Sequence, residues 1–126
     1  MNYTNVYVPD QGLKEKFLRW DNRLNRGRFI PRWLIVSVIS SIFAAILSSS
    51  NGNLSLLISI PITIGTLFTT GSIFTLVIRR LHDLNRSGKF AILLFIPVVS
   101  FFLMLYLIFA KGTDGENRFG ADPLYY

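Results

Sequence analysis

The chain has 126 residues, 13 Lys or Arg against 7 Asp or Glu, a net charge of +6 and no cysteine. That length suits one domain, and the lack of cysteine excludes a disulfide framework, a thiolate nucleophile and a Cys-ligated zinc or iron–sulfur centre. A basic chain could bind nucleic acid, but the distribution of charge points elsewhere. No charged residue lies between Trp33 and Arg79, and none between Lys89 and Lys111. Charge-free apolar stretches of about 18 residues or more read as membrane spans. Membrane proteins use Lys and Arg to set their orientation. The composition therefore predicts an all-α membrane protein with no nucleic-acid partner.

Residues 1–12 read as an irregular lead-in with Pro9 and Gly12 as breakers. Leu13, Phe17, Trp20 and Leu24 then recur at helical spacing, with Lys14, Lys16, Arg19, Arg23 and Arg26 on the other faces. This pattern predicts a basic amphipathic helix over 13–26, lying in the headgroup plane. Residues 1–28 are polar, which argues against a secretory signal peptide.

Three spans are predicted, at about 29–49, 54–78 and 90–110, followed by a polar tail over 111–126. The whole of 1–126 then forms one polytopic domain. Gly27 ends the amphipathic helix, Pro31 suits the first turn of the first span, and Arg32 and Trp33 suit the headgroup level. Ser37, Ser41, Ala44 or Ala45, and Ser48 share a face that would let a neighbouring helix approach. SSSNGN, 48–53, reads as an uncharged turn. In the second span, hydroxyls of Ser59, Thr63, Thr66 and Thr70 are expected to bond to the preceding turn or to a neighbour helix. Pro61 and Pro97 should disturb the second and third spans.

The N-terminal flank to Arg32 has seven Lys or Arg, the 48–53 turn has none, the 79–89 loop has four and the tail has two. Cation-rich loops belong on the cytoplasmic side. That rule predicts a cytoplasmic N-terminus, a cytoplasmic 79–89 loop and a periplasmic C-terminus. The alternative is a cytoplasmic tail reached through a re-entrant third segment.

The loop itself, RRLHDLNRSGK, concentrates four cations, one acid and the single histidine of the chain. Asp83 can pair with Arg79 or with Arg86 along a helix. Gly88 is expected to end the helix that continues from the second span. His82 and Asp83 are sequence neighbours and do not face each other on a helix, and no nucleophile is paired with a base. A lone histidine among arginines is a poor metal ligand. The expectation is no catalytic residue, no metal and no cofactor. The candidate binding residues, for lipid headgroups or a partner, are Arg79, Arg80, His82, Asp83, Arg86 and Lys89. Juxtamembrane cations gain from an anionic leaflet, and Arg forks fit phosphate oxygens.

RRLHDLNRSG, a following apolar run containing "IP", and KGTDGENRFGADP together resemble the YhaH/YhaI-like family of small bacterial inner-membrane proteins, domain of unknown function 805. Arg79, Arg80, Leu81, His82, Asp83, Arg86, Ser87 and Gly88 match its first motif. Gly112, Thr113, Gly115, Asn117, Arg118, Gly120, Asp122 and Pro123 match its second. The chain departs from the pattern at Lys89-Phe90, where tryptophan is common, and at Phe119, where tyrosine is common. The resemblance implies a small polytopic inner-membrane protein and no particular activity. The motifs are expected to be structural knots, with Asp83 and Arg86 ordering the loop while Asn117, Arg118 and Asp122 cap the end of the third span.

The reading favoured by these features is a non-enzymatic membrane scaffold or regulator. It would contact anionic lipid headgroups, a homo-oligomer or a membrane-protein partner. The competing classes are a subunit of an oligomeric transporter or channel, a phage- or toxin-type permeabiliser or its immunity protein, and an enzyme acting on lipid headgroups.

Overall fold

The computed structural model describes residues 7–124, which form four α-helices and one 3-10 helix. In chain order these are α1 (Leu13–Leu18), α2 (Arg26–Ser49), α3 (Leu56–Asp83), the 3-10 helix (Gly88–Phe95) and α4 (Pro97–Phe109).

The charge-free runs become α2 and α3, which pack as an antiparallel pair. Asn25 starts α2 by accepting a hydrogen bond from the Arg28 amide. Pro31 therefore lies inside α2, beyond the first turn where it is expected. The turn between the helices forms at Asn51 and Gly52, whose φ angles of 47° and 79° are left-handed. Both helices are long and apolar enough to cross a membrane, and only 6% and 11% of their most apolar windows are buried within the molecule. A core helix of a soluble protein would instead be mostly buried. Hydroxyls of Ser41, Thr63, Thr66 and Ser72 donate to carbonyls one turn back, so these polar groups are satisfied without water. The small-residue face of α2 at Ser37, Ser41 and Ala45 does not pack within the chain. It lines an open groove.

Two predicted elements form differently. The amphipathic helix expected over 13–26 stops at Leu18. Beyond it the backbone is irregular, and Arg23 and Leu24 are drawn into the interior, where they are 1% and 0% exposed. The Leu24 amide donates to the Arg79 carbonyl. The expected stripe is split accordingly: Leu13 and Trp20 stay 73% and 66% exposed.

The third apolar segment is not a continuous helix. The 3-10 helix ends at Phe95, Ile96 is extended, and Pro97 starts α4. The segment begins beside Ile78 and His82, since a Cβ on Gly88 would lie 2.8 Å from the Ile78 side chain and 3.2 Å from His82 Nε2. It ends beside Arg80, which donates to the carbonyls of Leu107 and Ala110. At its far end Phe95 meets Phe74, ring centroids 5.3 Å apart. Phe74 lies eight residues before His82, about 12 Å at a helical rise of about 1.5 Å. The segment is a hairpin that leaves and returns at the same end of α3.

That geometry brings the tail and the 79–89 loop together at one end of α3. The tail begins at the end of α3 where that loop begins.

Candidate functional site

Three stretches meet at this end: the lead-in before α2, the end of α3 with its following turn, and the tail. Their chemistry is organised by two carboxylates. Asp83, 3% exposed, sits on the last residue of α3. One oxygen takes Arg23 Nε at 3.1 Å and the other takes Arg80 Nη1. Asp10 has a fully buried side chain that accepts Arg79 Nη2 at 2.8 Å and Arg32 Nη1 at 2.6 Å. Arg19 is 3.9 Å away.

The arginines outnumber the acids, and further donors of each reach backbone carbonyls, while Arg79 Nε is buried without a partner among the described residues. Arg79 reaches Glu15 O in α1. Arg80 reaches Leu107 O and Ala110 O at the end of α4. Arg23 reaches Thr113, Gly115 and Gly120 in the tail. The helix ends otherwise present unsatisfied carbonyls with partial negative charge, so a cation there is favourable. Each guanidinium thus ties α3 or the lead-in to a segment distant in sequence.

His82 is 9% exposed and lies flat against Phe119, ring centroids 4.1 Å apart at 8°. Its Nδ1 is 3.2 Å from Asn22 O. A carbonyl accepts only, so Nδ1 donates to it, and Nε2 lies beside Gly88. The tail closes over this ring. Asn117 donates to His82 O, Arg118 to Asn85 O, and the Thr113 amide to Asp83 O. Asp122 accepts the amides of Gly115 and Leu124 and so folds the tail upon itself. A Cβ on Gly112 would collide with the Asp83 carboxylate, so only glycine lets the tail approach this closely.

Several expected pairings are corrected. Asp83 pairs with Arg80 and Arg23, not with Arg79 or Arg86. Asn117 and Arg118 cap the end of α3, not the end of the third apolar segment, whose carbonyls take Arg80. Helix α3 ends before Gly88: Asn85, at φ 56°, is the left-handed residue, and the amides of Asn85 and Arg86 bond back to His82 O and Leu81 O. Arg79 and Arg80 are each 0% exposed. Of the four loop cations only Arg86 and Lys89 remain exposed.

Two members of the site escape sequence reasoning. Asp10 is a single acid in an irregular segment, and Arg23 looks like one of many solvated cations. Neither has a local signature, because their partners are 69 and 60 residues away. Beside Asp83 lies a cavity of about 290 Å³, lined by Arg26, Arg80, Lys111, Asp83, Asp114 and Asp122 among others. Its cations and acids balance, so it selects neither sign of ligand.

Two membrane-length helices, a half-length hairpin and one ionic cap define a helical integral membrane protein. The chain belongs to the family described as "Protein of unknown function (DUF805)", whose sequence model matches residues 17–121. It is 34% identical over 100 residues to "Inner membrane protein YhaI" of Escherichia coli (strain K12), covering 79% of this chain and 84% of that protein. It is 47% identical over 45 residues to "Inner membrane protein YhaH" of the same strain, covering 36% of this chain and 37% of that protein. No solved structure matches the chain.

Proposed function

We propose that this protein is a non-enzymatic scaffold or regulator of the bacterial inner membrane. It crosses twice, through α2 and α3, and enters a third time only to about half depth. The N-terminal segment, the 79–89 loop and the tail then share the cytoplasmic side. This arrangement puts all 13 Lys and Arg on that side and none in the connection between α2 and α3, which is the distribution the positive-inside rule favours.

One observation carries the non-enzymatic reading: the reactive-looking groups of the loop are spent on the chain itself. Arg79, Arg80 and Asp83 are buried and held by partners in the same chain. His82 is stacked under Phe119 with its Nδ1 proton engaged. General acid–base catalysis needs a group within reach of a substrate proton, and this arrangement offers structure in its place. Scaffolding and regulation need instead a rigid cap on a membrane anchor, which these bonds build.

The test is to express Arg80→Ala, His82→Ala and Asp83→Ala in the full chain, measuring membrane abundance and melting in detergent. The proposal predicts loss of assembly in step with the bonds removed. A variant that inserts and melts normally, yet fails to restore function to a strain lacking the gene, would identify a chemical site and contradict it.

A further inference from the structure

Arg86, one of the loop's two exposed cations, lines a crevice that no part of the cap uses. It has a volume of about 280 Å³ and is lined by Leu81, Arg86, Phe90, Leu103 and Tyr106. Leu81 and Leu103 form its floor, 1% and 9% exposed. Phe90 opens the hairpin, and Leu103 and Tyr106 belong to its returning arm. The crevice is thus framed by the end of α3 and both arms of the hairpin.

Its rim is cationic without a counter-charge. Among the described residues, the Arg86 side chain has no hydrogen bond and no ion pair. Asp83, its neighbour in sequence, is already occupied by Arg80 and Arg23. Lys89 is exposed three residues further on. Arg118 lies alongside, donating to Asn85 O. Arg86 is the cation among the lining residues, and no carboxylate lines the crevice. Leu103 and Tyr106 belong to α4, where the neighbouring Phe101 and Phe102 are 61% and 62% exposed. In a membrane protein that surface faces acyl chains.

We infer that this crevice holds one anionic phospholipid, its phosphate on Arg86 and part of one acyl chain between the arms of the hairpin. A guanidinium fork matches phosphate oxygens in a bidentate way and is the least hydrated cation available for such a contact. The volume is below that of ordinary small-molecule pockets, which favours a chain segment over a whole ligand. Lateral access from the apolar face of α4 lets the chain enter without leaving the bilayer. The inference rests on the membrane reading above and names the lipid class that reading left open. It also moves headgroup contact away from Arg79 and Arg80, which are buried, to Arg86.

The test titrates the full chain, purified in detergent, with phosphatidylglycerol or phosphatidylcholine of identical acyl chains, and counts retained lipid by native mass spectrometry. One phosphatidylglycerol is expected to be held about fivefold more tightly than phosphatidylcholine, the factor that one juxtamembrane cation supplies. Arg86→Ala removes that preference, while Lys14→Ala, on an exposed cation of the lead-in, leaves it. Leu103→Trp, which narrows the crevice, lowers retention of both lipids. Equal retention of the two lipids by the unaltered chain overturns the inference, as does a preference that survives Arg86→Ala or falls equally with Lys14→Ala. Arg86→Ala breaks no bond of the cap, so unchanged melting separates a failure here from a failure of the scaffold reading.

Discussion

Asp83 is the residue on which most of the cap depends. Its carboxylate is shared by Arg23 and Arg80, which in turn hold the tail and the end of α4. Asp83→Ala leaves two buried guanidiniums without a counter-charge, a change that costs about 3–5 kcal/mol. The expected outcome is a large fall in melting temperature and in membrane abundance. Gly112→Ala is expected to act in the same direction, because the added Cβ must displace the Asp83 carboxylate; melting of the purified variant checks it. Asp10 makes a pH-dependent prediction. Burial pushes its pKa up, but hydrogen bonds from Arg32 and Arg79, and their charges, bring it below the ordinary 3.8. A carboxyl whose folded pKa lies below its unfolded value stabilises fully above the unfolded value. That contribution is lost as pH falls through the folded one. The melting gap between the natural chain and Asp10→Asn is therefore expected to stay constant from neutral pH to about 4 and to close at lower pH.

Among the elements, α2 and α3 are legible in the sequence because an apolar, charge-free run of membrane length is rare outside a bilayer. The SSSNGN turn is legible from its composition. The helix expected over 13–26 stops early for a reason that periodicity cannot report. Its stripe is correct locally, but Arg23 is worth more to the fold bonded to Asp83 and the tail than it is on a solvated helix face. The third segment reads as a span because hydropathy measures how apolar a segment is and not whether it turns back. The local signal is Pro97 after Ile96, which suits a kink in a continuous helix as well as the tip of a hairpin. Cysteine labelling of intact cells tests this. Asn51→Cys, in the turn between α2 and α3, is expected to react with a membrane-impermeant maleimide from outside. Lys111→Cys, an exposed position just after the returning arm, is expected not to react from outside. Labelling of Lys111→Cys from outside would make the third segment a full span.

For the molecule as a whole, the two sequence motifs are one structure. Each is visible as a motif, and their residues Arg80, His82, Asp83, Asn117 and Arg118 do belong to the knot that the structure builds. Their mutual contact is not visible in the sequence, since three full spans place them on opposite sides of the membrane. It emerges only from contacts between segments about 30 residues apart, such as Asn117 on His82 O and Arg80 on Ala110 O. The side of the C-terminus therefore decides between one cap and two separate motifs. The direct measurement fuses the full chain, after Tyr126, to a fluorescent protein that matures only in the cytoplasm and, separately, to an alkaline phosphatase active only in the periplasm. Bright fluorescence with inactive phosphatase is the predicted result. Active phosphatase with no fluorescence would put the tail across the membrane from the loop and contradict the single cap.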